Sequence, residues 1–337
     1  MKQGSLFLPD TNWNSPQQLP DLTKATKIAI DLETNDPNLM KLGPGAIRGD
    51  GKIIGIAIAV DGWKGYLPIG HVAGNIDPGM VWRWFEKNVV NTEATKIFHN
   101  AMYDVSWIAA RGFKLKGKIV DTMIAASLID ENRYSFTLDS VAKDYIKTGK
   151  DESVLKQAAK AFGVDPKSGM ADLPAIYVGD YAERDAEATL KLWDALQKDI
   201  SDQDLEDILK LETDLFPMLV DMTFKGVRVD LERAAEIKKD FITREKKILH
   251  NIKEKTGIDI DIWAAASIQK LFDKLNIKYD RTEKGAPSFT KNFMKTHSND
   301  LVESIAVARE FNKAHTTFID SIVKHEHKGR IHANINQ

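Results

Sequence analysis

The sequence predicts an α/β protein in which a mixed sheet flanked by helices is followed by a mainly helical region. Three observations predict it. Between residues 27 and 129, short β-rich apolar runs alternate with runs at helical spacing. From about residue 130 onward the long periodic stretches are helical. The 337 residues are enough for about two domains, each with a sizeable core.

The elements follow in order. Residues 1–24 carry Pro9, Pro16 and Pro20 among Asn and Gln and read as an N-terminal extension lying over a domain. Lys27-Ile28-Ala29-Ile30-Asp31 and the run Ile53 to Val60 are rich in β-branched residues and read as strands. Asp61-Gly62-Trp63-Lys64-Gly65 turns the chain into Tyr66-Leu67-Pro68-Ile69, a hairpin-like continuation. Lys96 to His99 and Lys118 to Val120 supply later strands, with helices near 78–90, 102–111 and 122–129 between and after them. A meander that gives way to strand and helix alternation predicts a mixed sheet with helices on its faces. Helices are then expected at 136–145, 152–161 and 178–200. Ile200-Ser201-Asp202-Gln203 reads as an N-cap and a domain boundary before an apolar helical stripe from Leu205 to Val220, which Pro217 should kink. Further helices are expected at 231–256, 267–275 and 300–324, the last with Leu301, Ile305, Ala308, Phe311, Phe318 and Ile322 on one stripe.

Composition excludes several classes. With 43% apolar and 28% charged residues the chain is neither disordered nor a membrane protein, and no apolar run approaches the about 20 residues of a spanning helix. The apolar stretch before Pro9 is only three residues long, which excludes a secretory signal. The absence of cysteine removes disulfides, thiolate zinc sites and thiol nucleophiles, so a cytoplasmic protein is expected. The net charge of −2 argues against bulk coating of nucleic acid but does not say where the charges sit. Residues 251–337 hold 14 basic against 11 acidic groups, so the C-terminal segment is locally basic.

The informative acids fall in three places. Asp31 and Glu33 stand two apart at the end of the first strand, so both carboxylates project from one face at the strand's C-terminal end, where sites in open α/β sheets tend to lie. Asp-x-Glu alone is weak, since it also occurs at Asp185, Asp204 and Asp230. The second place is His99-Asn100-Ala101-Met102-Tyr103-Asp104, where Asn100 reads as an N-cap and Asp104 as a first-turn acid favoured by the helix dipole. The third is Tyr181-Ala182-Glu183-Arg184-Asp185, whose Tyr181 and Asp185 share a helix face. Taken singly, each has a bland reading as a capped helix or a surface acid. Together, Asp31, Glu33, Asp104 and Asp185 supply four carboxylates, which repel one another unless cations hold them. Hard oxygen ligands of this kind call for two divalent ions, Mg²⁺ or Mn²⁺. Two such ions about 3.5–4 Å apart suit an in-line phosphoryl displacement, with Tyr181 orienting the water.

These three pieces resemble the Exo I, Exo II and Exo III motifs of the DEDDy 3′–5′ exonucleases, which have a ribonuclease H-like fold. Val120-Asp121-Thr122-Met123, Leu128 to Asn132 and Thr137 to Lys143 resemble the proofreading domains of phage-type family A DNA polymerases, and the likeness covers about residues 25–200. It implies that Asp31, Glu33, Asp104 and Asp185 are metal ligands and that Tyr181 positions water. It also implies that Leu32, Thr34 and Asn100 contact the terminal nucleotide of the bound strand.

Residues 201–337 resemble the thumb and the first part of the palm of the same polymerases, through Leu211 to Leu215, Lys225 to Asp230, Ser267 to Phe272, Gly285 to Ser288 and Gly329 to His332. No polymerase active site can be assembled from the residues present. A basic thumb grips duplex backbone without reading sequence, and Arg309 and Lys313, four apart, are candidates to face phosphate. His315 reads as a packed core residue, and a zinc site at His325 and His327 is not expected. The resemblance implies a proofreading-type exonuclease that acts on the 3′ end of single-stranded DNA and on primer–template, in the host cytoplasm if phage-encoded. The alternative is a DNA-binding subunit of a split polymerase that docks a second chain carrying palm and fingers. An RNA-processing nuclease fits the polymerase-like second half poorly.

Overall fold

The computed structural model describes residues 8–149, 151–333, 335 and 337. The first seven residues of the predicted extension therefore lie outside the described residues. The chain divides into two compact units. One runs to Lys225 and includes the tail from Ala333; the other is Gly226–His332.

In the first unit, β1 (Lys27–Asn35), the short α1 (Leu39–Leu42), β2 (Lys52–Val60) and β3 (Trp63–Pro68) lead to α2 (Pro78–Phe85). β4 (Thr95–Phe98), α3 (Ala101–Ala110), β5 (Ile119–Asp121) and α4 (Thr122–Ile129) follow. The unit closes with α5 (Leu138–Tyr145), α6 (Ser153–Phe162), α7 (Gly179–Asp202) and α8 (Glu206–Lys225). The five strands form one mixed sheet in the order β3-β2-β1-β4-β5. β1 pairs antiparallel with β2 and parallel with β4, as the meander followed by alternation predicts. The β2–β3 turn is tighter than expected, because Gly62 takes a φ of 82° and Trp63 already belongs to β3.

Alternation along β1 divides the core. Ile28, Ile30 and Leu32 face α2, α3 and α8 together with Ile56, Ile58 and Leu67. Ala29 faces the opposite way, with Ala57, Ala59 and Tyr66, toward Ala182, Ala186 and Leu190 of α7. The small residues on this face let α7 lie close to the strands that carry the first acids. Gly55 completes the floor: a Cβ there would stand 2.0 Å from the Tyr66 hydroxyl oxygen.

The extension packs onto this frame. Trp13 lies so close to Gly179 that a Cβ would stand 2.0 Å from the indole, and its Nε1 donates to Glu183 at 2.7 Å. Glu183 also accepts from the Tyr66 amide at 3.0 Å, so the start of α7 is pinned between the arm and β3. The helix break lies at 203–205, with Asp204 at positive φ, just beyond the stretch read as an N-cap, since Ile200, Ser201 and Asp202 still belong to α7. α8 nonetheless stays with the first unit through Phe216 and Val220, and it continues through Pro217.

In the second unit, β6 (Val227–Arg228), α9 (Leu231–Thr256), α10 (Ala265–Lys274), β7 (Asp280–Arg281) and β8 (Pro287–Ser288) come first. α11 (Lys291–Thr296), α12 (Asp300–Lys313), α13 (Asp320–His325), β9 (Glu326–His327) and β10 (Arg330–Ile331) follow. Ile252, Ile268, Phe272, Met294, Val302 and Ile305 form its core. The expected single helix over 300–324 is interrupted by a π-helical turn at Ala314–Ile319. That wider turn shifts the stripe, so Phe318, expected on the apolar face, is 58% exposed. Among the described residues no helix is long and apolar enough to cross a membrane.

Candidate active site

β1, α3 and α7 bring the acids together. Asp31 pairs in register with Ala57 and Glu33 with Gly55, so both carboxylates lie on the α7 face of the sheet. Asp104 is in the first turn of α3, buried, and its Oδ1 accepts the amide of Leu32 at 2.9 Å. This bond ties the start of α3 to the β1 residue between the two acids. From α7, Tyr181 and the buried Asp185 face the same strands, and the Tyr181 hydroxyl hydrogen-bonds to Asp185.

The electrostatics register the crowding. Burial, and next the charge of Asp31, hold the Asp104 carboxyl well above the usual range. Burial, then Glu33, Asp185 and Asp31, push the Tyr181 phenol up, and burial with Glu33 and Asp31 does the same to Tyr66. Among the described residues no three His, Asp or Glu side chains converge on one point in metal-holding geometry. Asp31 lies near enough to act on Asp104, and Glu33, Asp185 and Asp31 near enough to act on Tyr181. The chemistry of the four carboxylates fits hard divalent cations: all donors are carboxylate oxygens, and the cost of burying Asp104 beside Asp31 is the cost a cation would remove.

The helix that carries Asp104 starts differently from the expectation. Asn100 occupies the N-cap position in the left-handed conformation, φ 65° and ψ 53°, and its side chain makes no capping bond. Asp121, at the end of the neighbouring strand, does that work. Its Oδ1 accepts from the Asn100 amide at 3.0 Å and from Met123 at 2.8 Å, and its Oδ2 accepts from Ala101 at 2.7 Å. One carboxylate thus caps both α3 and α4. The signal was an Asp at a strand end before an apolar run; nothing local shows that it serves a second helix 20 residues upstream. His99 is similarly committed, with Nδ1 to Thr122 Oγ1 at 2.8 Å and Nε2 to the Phe136 carbonyl at 2.9 Å.

The other expected contacts divide. The Thr34 hydroxyl meets the Tyr103 hydroxyl at 2.6 Å at the strand end, beside the acids. Leu32 points the other way, 6% exposed in the core, because it alternates with Asp31 and Glu33. Its amide serves the site by donating to Asp104. Arg309, in the second unit, is bonded within the protein. Its Nε donates to the Ile262 carbonyl at 2.6 Å, one terminal nitrogen donates to the Phe289 carbonyl at 2.9 Å, and the guanidinium lies over Trp263. Two carbonyls inside the unit thus already hold part of this guanidinium's donor set. Lys313 is exposed, and His315 is buried against Glu245 at 2.7 Å, as a packed residue should be.

Comparisons with known proteins agree with this frame. The family model described as 3′-5′ exonuclease, the exonuclease domain of DNA polymerase A, matches residues 15–201. A DNA-directed DNA polymerase of Pseudomonas phage M6 is 34% identical over 97% of this chain and 51% of its own length. A DNA polymerase DpoZ of Salmonella phage PMBT28 is 27% identical over 94% of this chain and 51% of its own. The chain thus spans about half the length of these relatives. In fold, the POL domain of Pol1 from M. smegmatis, solved with DNA primer-template and dNTP, superposes over 92% of this chain and 49% of that one, with a TM-score of 0.67 at 20% identity. A ribonuclease H-like sheet with acids on β1, α3 and α7, matched over more than half the chain by one family model, places the protein in the 3′–5′ exonuclease family of DNA polymerase A.

Proposed function

We propose that the chain hydrolyses DNA phosphodiester bonds from the 3′ end, in the manner of a proofreading nuclease, and releases nucleoside 5′-monophosphates. The observation that supports this reading is that β1, α3 and α7 bring Asp31, Glu33, Asp104, Tyr181 and Asp185 near one another. The four carboxylates would hold two divalent ions, Mg²⁺ or Mn²⁺, which when bound neutralise charge at the scissile phosphate and lower the pKa of a water. The chain's own groups do the positioning. Tyr181 is held in its protonated form by burial and by three neighbouring carboxylates, so it acts as a hydrogen-bonding group that orients water and not as a base. Thr34, bonded to Tyr103, and Asn100, whose side chain makes no capping bond, would meet the terminal nucleotide.

In this reading residues 25–200 are the nuclease, and 201–337 a thumb-like segment that meets primer–template. The alternative, a DNA-binding subunit that docks a separate palm and fingers chain, gives a structural protein five site residues it has no use for.

A 5′-labelled single strand tests the proposal. Shortening from the 3′ end should require Mg²⁺ or Mn²⁺, stop with chelator and resume on adding metal back; degradation that persists in chelator would refute it. Tyr181→Phe should slow hydrolysis by about 10- to 100-fold, the rate equivalent of one lost hydrogen bond of about 1.5–3 kcal/mol, while strand affinity measured in chelator is unchanged. Equal loss of binding and rate would remove the water-orienting role.

A further inference from the structure

A groove of about 360 Å³ lies on the α2 and α3 side of the sheet, and it opens at the end of the sheet where β1 delivers Glu33 and Thr34. Its walls include Lys52 and Ile53 of β2, which pair in register with Asn35 and Thr34. Trp82 of α2 and Trp107 and Arg111 from the end of α3 close the other side. Trp107 is three residues after Asp104, and its ring meets Tyr103 edge-on at 6.4 Å, while Tyr103 bonds Thr34. The groove therefore lies one turn of α3 from Asp104, across the sheet from the carboxylates of Asp31 and Glu33.

The walls are fixed. A Cβ on Gly51 would stand 2.5 Å from the Asn35 carbonyl and 2.8 Å from the Trp107 ring, so the 43–52 loop is seated hard against α3. Arg48 locks that loop by donating to the carbonyls of Leu42, Gly43 and Pro44 and by pairing with Asp50 at 3.0 Å. Arg48 also lies 3.8 Å from Asp36, so it engages both loop acids. The groove's own cations differ. Arg111 lies over the Trp82 ring at 5.0 Å, and among the described residues neither Arg111 nor Lys52 is paired with a carboxylate.

We propose that this groove binds an unpaired nucleotide of the substrate strand, upstream of the scissile bond. Its base stacks against the Trp82–Arg111 pair, and its phosphate meets Arg111 and Lys52. Aromatic and guanidinium planes accept the face of any base, and the cations take the backbone, which is how strands are held without regard to sequence. An apolar peptide would leave both cations without counter-charge. From Asp104 to Arg111 is about 10 Å of helix at 1.5 Å per residue, roughly three stacked nucleotide steps of 3.4 Å. The inference rests on the exonuclease reading and adds to it a second contact that makes affinity depend on strand length.

Photocrosslinking tests it, using the Asp31→Ala chain to prevent hydrolysis and oligonucleotides carrying 5-iodo-deoxyuridine at one position at a time. Substitution roughly three to five nucleotides from the 3′ end should attach to the peptide that contains Trp82. Arg111→Ala and Lys52→Ala, both exposed, should each weaken a long single strand by about five- to tenfold and leave a dinucleotide, too short to reach the groove, bound as before. Trp82 packs on Phe85 and Phe113, so the two cation variants decide the outcome even if Trp82→Ala does not fold. Unchanged long-strand affinity in both, or crosslinks that never reach Trp82 while the wild-type chain still digests 3′ ends, would overturn the groove and leave the exonuclease reading standing. A wild-type chain that neither binds nor digests single strands would overturn both.

Discussion

Asp31→Ala combined with Glu33→Ala should lower 3′-end hydrolysis by about 10³-fold or more. In the proposed reading the two carboxylates would be half of the donor set, and losing the cations they would hold would forfeit several kcal/mol of charge stabilisation at about 1.4 kcal/mol per tenfold in rate. Stability should move the other way or not at all. Asp31 is the charge that, after burial, raises the Asp104 carboxyl, so removing it relieves a repulsion and lets Asp104 return toward the usual range. A melting curve separates the roles further. Mg²⁺ at about 100 times its dissociation constant should stabilise the wild-type chain by about 2.7 kcal/mol and should have little effect on the double variant. A variant that keeps its activity to within about tenfold would show that the acids are not the metal site. One that melts well below wild type would show that they hold the fold.

Asp121→Ala should be the most damaging single change to the frame beneath the site, at about 3 to 5 kcal/mol in urea unfolding. Three backbone amides, those of Asn100, Ala101 and Met123, lose their shared acceptor, and the site is too buried for water to replace it freely. Burial pushes the Asp121 carboxyl up while these same amides pull it down, so the group already stands at a cost that only its bonds offset. Asp121→Asn keeps an acceptor and should lose less than half as much. Because α3 carries Asp104 four residues beyond Asn100, activity should fall in both variants even where they remain folded. A loss below about 1 kcal/mol for Asp121→Ala would mean that the helix starts are held some other way.

What the sequence showed of this site was local. The carboxylates of Asp31 and Glu33 share a face because strands repeat every two residues, and Tyr181 and Asp185 share one because helices repeat every 3.6. The same periodicities placed helices over 122–129 and 231–256, where α4 and α9 lie. They misjudged residues whose partners are distant in the chain. Asn100 looked like a cap, but its amide is claimed from position 121 and its backbone turns left-handed. Nothing near Arg309 in the sequence shows that carbonyls at 262 and 289 accept from its guanidinium. Trp13 gave no sign that it would seat against Gly179 and fix the start of α7.

By itself the sequence determined the alternation of elements, the mixed sheet and which acids stand at the ends of which elements, because periodicity and burial act on neighbours along one chain. Only the tertiary structure decided which amides, carbonyls and cations are already spent within the protein. Each buried polar group must find a partner wherever the fold offers one, and a pairing across 20, 47 or 170 residues leaves no trace in local spacing.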